Sequence, residues 1–295
     1  MIRCLSCKTA FPSGGNSETC PACGWTPANI DGFTAYAPEF AKSGGGFEPE
    51  YFDDLAALEA NNFWFRSRNR LLQWALERFH PDLKSFLEVG CGTGFVLSGI
   101  QRLKPHVRIA GSEIFAAGLK FAAQRLPSVS LMQMDARNVP FAEEFDVVGA
   151  FDVIEHIQED EQVLSQLHAA LKENGILMIT VPQHPWLWST LDEYSHHFRR
   201  YTEAELRRKI EGAGFEIVRN TSFVTLLLPA MAFSRLLRRD KPVEEIDVRS
   251  ELQLSPLVNA IFSLLLSCEI ALIKAGISFP VGGSRLVVAR KRRAS

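Results

Sequence analysis

Neither sign of charge is in excess in this chain of 295 residues: 32 Lys and Arg stand against 34 Asp and Glu, for a net charge of −2. Such a balance leaves no global electrostatic footprint for nucleic acid, and no DNA partner is expected. The N-terminal stretch MIRCLSCKTAF lacks a long apolar run and a cleavage-type segment, so no secretory signal is read there and a cytoplasmic protein is expected. Internal repeats and low-complexity tracts are missing too. What is abundant is apolar character, at 46% of residues, enough to bury one large core with a small appendage or two modest domains.

Cysteine is scarce, at six residues, but four of them are patterned. Cys4 and Cys7 form one C-x2-C, Cys20 and Cys23 a second, with twelve residues between. Each pair can place two thiolates on one tight turn, and two such turns complete a tetrahedral zinc site. A reducing compartment disfavours a disulfide pair, and a redox C-x-x-C needs no second copy. Residues 1–28 are therefore read as a zinc ribbon. Cys91, inside a glycine-rich stretch, and Cys268, in an apolar helical stretch, are read as packing residues rather than nucleophiles.

SFLEVGCGTGFVLSGI, residues 85–100, reads as a buried strand, a glycine loop and a helix. Gly90, Gly92 and Gly94 allow sharp turning and close approach to a ligand. A dinucleotide fingerprint would require a third glycine at 95, where this chain has Phe95. Glu88 at the strand end would also repel a pyrophosphate, whereas a cationic ligand tolerates it.

Residues 29–50, ending in GFTAYAPEFAKSGGGFEPE, form a glycine- and proline-rich linker, and Tyr51 to Phe79 has helical apolar spacing. Beyond Pro81 strands and helices alternate: strands over 85–89, 107–111, 129–133, 145–151 and 175–181, helices over 95–103, 114–126 and 160–172. That order predicts a parallel sheet with helices on both faces. FEIVR (215–219) and SRLVVARK (284–291) are candidate last strands. Ligands bind beyond the carboxyl ends of such strands, where four acids recur. Glu88 ends the first strand and Glu113 the second, where it can take both hydroxyls of a ribose. Asp135 ends the third, suited to an adenine amino group, and Asp152 follows the fourth.

With these residues in view, Leu87 to Pro182 resembles the cofactor half of a class I S-adenosylmethionine-dependent methyltransferase. LEVGCGTG is similar to the family's first motif, Glu113 to its ribose acid, DARNVPF to its adenine loop and FDVVGAFDVIEHI to its fourth motif. The resemblance implies a Rossmann-like α/β sheet of seven strands, the last antiparallel, over residues 51–295. It implies that Glu88 supports the methionyl amino group and that Gly90, Cys91, Gly92 and Gly94 face the methionine portion. Glu113 with Ile114, Asp135 with Ala136, and Phe151, Asp152 and His156 complete the implied cofactor contacts. NNFWFRSRNRLL (61–72) resembles an N-terminal helix that covers the cofactor in bacterial relatives, which adds Trp64 and Arg66. HHFRRYTEAELRRKIEGAGFEIV (196–218) resembles the segment from the substrate loop to the sixth strand.

A methyl donor of this kind needs an aligned acceptor and, for a hydroxyl or amine, a base. His156, His184 and the loop pair His196 and His197 lie near predicted strand ends, and the pair is the first choice. Asp152-x-x-Glu155-His156 resembles the E-x-x-E-H arrangement with which some ubiquinone-pathway O-methyltransferases hold a divalent cation. Here the first carboxylate is an aspartate and only three ligands are visible, so catalytic magnesium is not expected.

Residues 223–280 form an insertion with two apolar stretches, FVTLLLPAMAF and PLVNAIFSLLLSCEIALIKAG, around the charged RLLRRDKPVEEIDVRS. Asn259, Ser263, Ser267 and Lys274 make a polar stripe at helical spacing on the second, so it is expected to be an amphipathic, mostly buried helix rather than a membrane span. A lid or homodimer interface is the first reading of the insertion, and a lipid-like acceptor or the membrane surface the second. Arg235, Arg238 and Arg239 are candidates to meet an anionic head group. Three functions follow: methylation of a small or lipid-linked acceptor, RNA methylation using the ribbon, and a non-catalytic cofactor-binding module. The ribbon carries only Arg3 and Lys8 as basic residues and no stacking series of aromatics, which disfavours RNA.

Overall fold

The computed structural model describes residues 1–13, 18–42, 51–237 and 253–292, without the side chains of 235–237. The charged stretch of the insertion, with the side chain of Arg235 and all of Arg238 and Arg239, lies outside the described residues.

A mixed sheet forms the centre. Its parallel strands are β5 (Ser85–Val89), β6 (Arg108–Glu113), β7 (Ser130–Gln133), β8 (Phe145–Phe151) and the first of the late strands, β9 (Leu171–Pro182). All five residues of β5 are buried, as a strand covered on both faces requires. α3 (Phe95–Leu103), α4 (Ala116–Arg125) and α5 (Asp160–Ala170) connect these strands. β11 (Ser284–Lys291) runs antiparallel between β9 and β10 (Phe215–Phe223), as expected of the last strand.

Two further strands widen the sheet to nine. β3 (Ala28–Ile30) and β4 (Phe33–Ala35) form a hairpin, and β4 pairs parallel with β7 through Thr34–Met132 and Ala35–Gln133. Residues 28–35 thus add to the sheet edge where a linker is expected. Gln133 explains why: its side chain accepts from the Ala37 amide at 3.0 Å and donates to the Ala37 carbonyl at 2.7 Å, fastening the next residues as well. The short run FTAY is too brief for its alternation to outweigh the surrounding glycines.

The ribbon, with β1 (Ile2–Arg3) and β2 (Ala10–Phe11), is docked on the main domain. Ile2, Cys4, Phe11 and Cys20 join the buried cluster of Phe141 and Phe145, and the Arg3 amide donates to Pro140 O at 2.9 Å.

The helical segment 51–79 is two helices, α1 (Tyr51–Leu58) and α2 (Phe63–Phe79). The Asn61–Asn62 pair interrupts it. Asn62 caps α2 by accepting from the Trp64 amide at 2.8 Å, a role asparagine fills better than a helix interior. Later come α6 (Thr190–Tyr194), α7 (Glu203–Gly212), α8 (Leu228–Leu237) and α9 (Pro256–Lys274).

α9 packs on α2 but has only four buried residues among its nineteen, against the expectation of a mostly buried helix. Its buried residues are Leu266, Glu269, Ile270 and Ile273, while Leu257 and Leu264 are 71% and 65% exposed. Asn259 and Glu269 are used inward, while Lys274 is exposed. Asn259 accepts from the Phe63 amide at 2.8 Å and donates to Asn61 O at 2.9 Å, and Glu269 accepts from the Thr225 and Leu226 amides at 2.7 and 2.8 Å. Because polar side chains satisfy the ends of neighbouring elements, the outward face is left to Leu257, Ala260, Ile261, Leu264, Cys268 and Leu272. By length and composition α9 could also cross a membrane.

Candidate active site

The strand ends and the glycine loop open into a cleft of about 1180 Å³. Gly90, Gly92 and Gly94 have φ of 73°, 51° and 75°, a region that favours glycine. A Cβ on Gly90 would lie 2.5 Å from a Val153 methyl, so the turn also depends on the bare backbone. Gly94 caps α3 and does not line the cleft; Gly90, Cys91 and Gly92 do.

Glu88 is 2% exposed, lines the cleft, and its Oε2 has no hydrogen-bond partner. Burial raises its carboxyl well above the usual range, against the pull of the Arg68 guanidinium. Glu113 is also buried, and its acidity is weakened by burial while three amides oppose the shift. Its Oε2 accepts from Gly92 N at 3.0 Å and its Oε1 from Ile114 N at 2.8 Å, so this carboxylate braces the glycine loop from the next strand. The Asp135 carboxylate is gripped by Arg137 Nε at 3.0 and 3.1 Å. Ile114, Ala136 and Phe151 line the same cleft.

Asp152 has φ of 58°. It pairs with Arg68 and accepts from Thr180 Oγ1 at 3.0 Å. The Arg68 guanidinium lies 4.5 Å from the centroid of the Trp64 ring, within cation–π range. Trp64 lines the cleft as expected; Arg66 is exposed and does not, and Arg68 stands where Arg66 is expected. The i, i+4 spacing of Trp64 and Arg68 is the signal that separates them. Sequence reasoning also missed Glu59, whose carboxylate accepts from Thr93 Oγ1 at 2.7 and 2.8 Å and pairs with Arg125 at 2.5 Å, tying α1 to the loop.

Three of the four histidines converge on the cleft. The rings of His156 and His197 are 4.5 Å apart, and His196 lines the same wall. Burial lowers His156 to about 3, which keeps it neutral. His197 Nδ1 lies 2.9 Å from Asp192 Oδ1. His184 does not line the cleft: it is half-buried and stacks on Trp186 at 5.6 Å.

The insertion adds apolar side chains to the cleft lining, with Val224, Leu227 and Met231 from the turn into α8 and α8 itself, and Val258 and Phe262 from α9. Away from the cleft, the Sγ atoms of Cys4, Cys7, Cys20 and Cys23 all lie within 4.8 Å of one another, with Cys4–Cys23 and Cys7–Cys20 at 3.6 Å. A disulfide would be about 2.0 Å, whereas the edge of a tetrahedron with ~2.3 Å zinc–sulfur bonds is ~3.8 Å.

A family model described as a methyltransferase domain matches residues 57–220. A Mycolicibacterium smegmatis protein described as an S-adenosylmethionine-dependent methyltransferase is 27% identical over 171 residues, 55% of this chain and 63% of the relative. A ubiquinone biosynthesis O-methyltransferase of Rhodopseudomonas palustris is 25% identical over 178 residues, 51% of this chain and 68% of the relative. The chain spans between half and two thirds of the length of most curated relatives it matches. A chain of the Haloferax volcanii complex containing the Trm112 methyltransferase activator aligns with a TM-score of 0.55 at 16% identity, covering 84% of this chain and 98% of that one. At that identity the likeness speaks for the fold alone.

Proposed function

Because the chain belongs to the methyltransferase-domain family, whose model covers residues 57–220, we propose that it transfers the methyl group of S-adenosylmethionine to an apolar or lipid-linked acceptor. The observation that carries this reading is the union, in one cleft, of a glycine turn beside the unpartnered buried Glu88 oxygen and aliphatic and aromatic side chains from the insertion.

The residues present fit that cofactor. Glu88 supplies a negative group with an unused acceptor for the methionyl ammonium, and the bare backbone at Gly90 and Gly92 admits the methionine portion. Glu113 and Asp135 offer carboxylates for the ribose diol and the adenine amino group. Bound S-adenosylmethionine supplies a sulfonium-activated methyl group for in-line displacement. The chain's own contribution is alignment, worth ~7–11 kcal/mol when two reactants are well oriented. Trp64 and Arg68 line the cleft and restrict water, and a hydroxyl or amine acceptor gives its proton to His196 of the loop pair, with His197 beside it.

For the N-terminal unit we propose structural zinc on Cys4, Cys7, Cys20 and Cys23, supported by the sulfur spacing. Docking of the ribbon on Phe141 and Phe145 gives it a local structural role and does not favour the RNA reading. The exposed apolar face of α9, on a helix whose other edge lines the cleft, supports work at a membrane surface, and we place the protein in the cytoplasm, peripheral to that membrane, as part of the same proposal.

The test is incubation with methyl-labelled S-adenosylmethionine and a fractionated lysate. Label in the organic-extractable fraction is the expected result. Label confined to RNA overturns the acceptor reading, and cofactor binding with label in no fraction overturns catalysis in favour of a binding module.

A further inference from the structure

Glu155, in the 3-10 turn Ile154–His156 after β8, is fully buried, and neither carboxylate oxygen has a hydrogen-bond partner. An acid placed this way bears the whole desolvation cost of its group unless a ligand joins it. Two imidazoles meet it. Ligand atoms of Glu155, His156 and His197 all lie within 4.8 Å of one another, and all three residues line the cleft.

Both histidines are positioned from behind. His197 Nδ1 is held by Asp192 Oδ1 at 2.9 Å, and Asp192 is itself fixed by Arg200 Nε at 2.8 Å. His156 hydrogen-bonds with the backbone of Ser195. A carboxylate behind an imidazole is the arrangement that sets ring orientation and raises basicity in metal sites. One carboxylate and two imidazoles held on one wall form the donor set of divalent transition ions that keep open positions.

We propose that Glu155, His156 and His197 hold a divalent transition metal ion whose open positions face the cleft. The contiguous set Asp152, Glu155 and His156 is not assembled, because Arg68 and Thr180 engage Asp152. The third donor comes instead from the loop after α6. Two nitrogens and one oxygen favour manganese, iron, cobalt or zinc over magnesium, which prefers an all-oxygen shell. Resting on the methyl-transfer reading, the ion would bind an acceptor through a hydroxyl or phenolic oxygen and hold the charge left by its proton, which then passes to His196.

The experiment is a titration with Mn²⁺ of protein carrying a single equivalent of zinc, which the four thiolates take in preference to the mixed nitrogen–oxygen set, followed by the electron paramagnetic resonance signal of the free ion. Manganese is chosen because it avoids thiolates. One Mn²⁺ per chain is expected. Glu155→Gln and His197→Ala, each checked for folding by circular dichroism, should weaken binding by more than the ~10–100-fold that loss of an outer-sphere partner costs. A free-ion signal unchanged by the protein overturns the site, as does parent-like affinity in both folded variants. S-adenosylmethionine binding is measured on the same samples: a protein that takes Mn²⁺ but not the cofactor keeps the metal site and loses the methyl-transfer reading.

Discussion

Replacing Glu88 by Gln separates stability from affinity. Burial raises the Glu88 carboxyl well above its ordinary value, with Arg68 opposing the shift and Glu113 adding to it. Because the folded value lies above the unfolded one, its contribution to stability is fully present below the unfolded value of about 4.3 and is lost as pH rises through the raised folded value. Glu88→Gln removes that loss, so the ligand-free variant should be as stable as the parent in acid and at least as stable above the raised value.

Cofactor affinity should move the opposite way. An ammonium beside Glu88 favours the ionised carboxylate, so binding should release protons, and affinity should rise as pH passes through the ligand-free value. Loss of a hydrogen bond between charged groups costs about 1.5–3 kcal/mol, or about 10- to 150-fold in Kd at 1.4 kcal/mol per decade. Calorimetry with S-adenosylmethionine in two buffers of different ionisation enthalpy reads both quantities, and thermal unfolding of the free proteins reads the third. Equal Kd for parent and variant, or no proton release by the parent, refutes the assignment of Glu88 to a cationic group.

The remaining predictions concern the two ends of the chain. Cys20 is 1% exposed and packs in the cluster that joins the ribbon to the main domain; Cys20→Ser should lose one zinc by elemental analysis and speed amide exchange over 1–13 and 18–28 while β5 and β8 stay protected. A zinc-free parent, or full zinc in the variant, counts against the site. Leu257 and Leu264 are 71% and 65% exposed, so Leu257→Glu with Leu264→Glu should leave folding within about 0.5 kcal/mol per site. The pair should remove about 3–6 kcal/mol of apolar burial in a bilayer and abolish flotation with anionic vesicles. A parent that does not float, but whose dimer measured by light scattering dissociates in the variant, overturns the membrane reading and supports an interface between two copies.

The geometry of the cleft around the glycine turn was legible because its residues are local in sequence. Gly90, Gly92 and Glu88 lie within five residues of one another, and Glu113 comes one strand later, so a single strand–turn–helix places them and the ends of β6, β7 and β8 supply the remaining acids. The rest of the cleft is assembled differently. Glu155 meets His197, Phe63 receives a cap from Asn259, and Val224 shares a wall with Val258; no periodicity within one segment encodes such meetings. The choice between Arg66 and Arg68 turns on which face of α2 looks into the cleft, and Trp64 at i−4 and Phe65 at i−3 mark it.

The apolar period of α9 was legible, but its direction was not. Hydrophobic patterning assumes that polar residues seek water, whereas Asn259 and Glu269 seek the amides of Phe63, Thr225 and Leu226. Those amides would otherwise lack partners in partly buried turns, and hydrogen bonds to a carboxylate outweigh the neutral kind by roughly a factor of two. Glu269 and Asn259 therefore orient the helix, and its leucines are turned outward as a consequence. A helix anchored by polar groups on its inner side, with its outer face left apolar, has an orientation that solvent alone would oppose. A lipid surface or a second copy of the chain would relieve that opposition, which is why the vesicle and light-scattering measurements on the double leucine variant discriminate between the two readings.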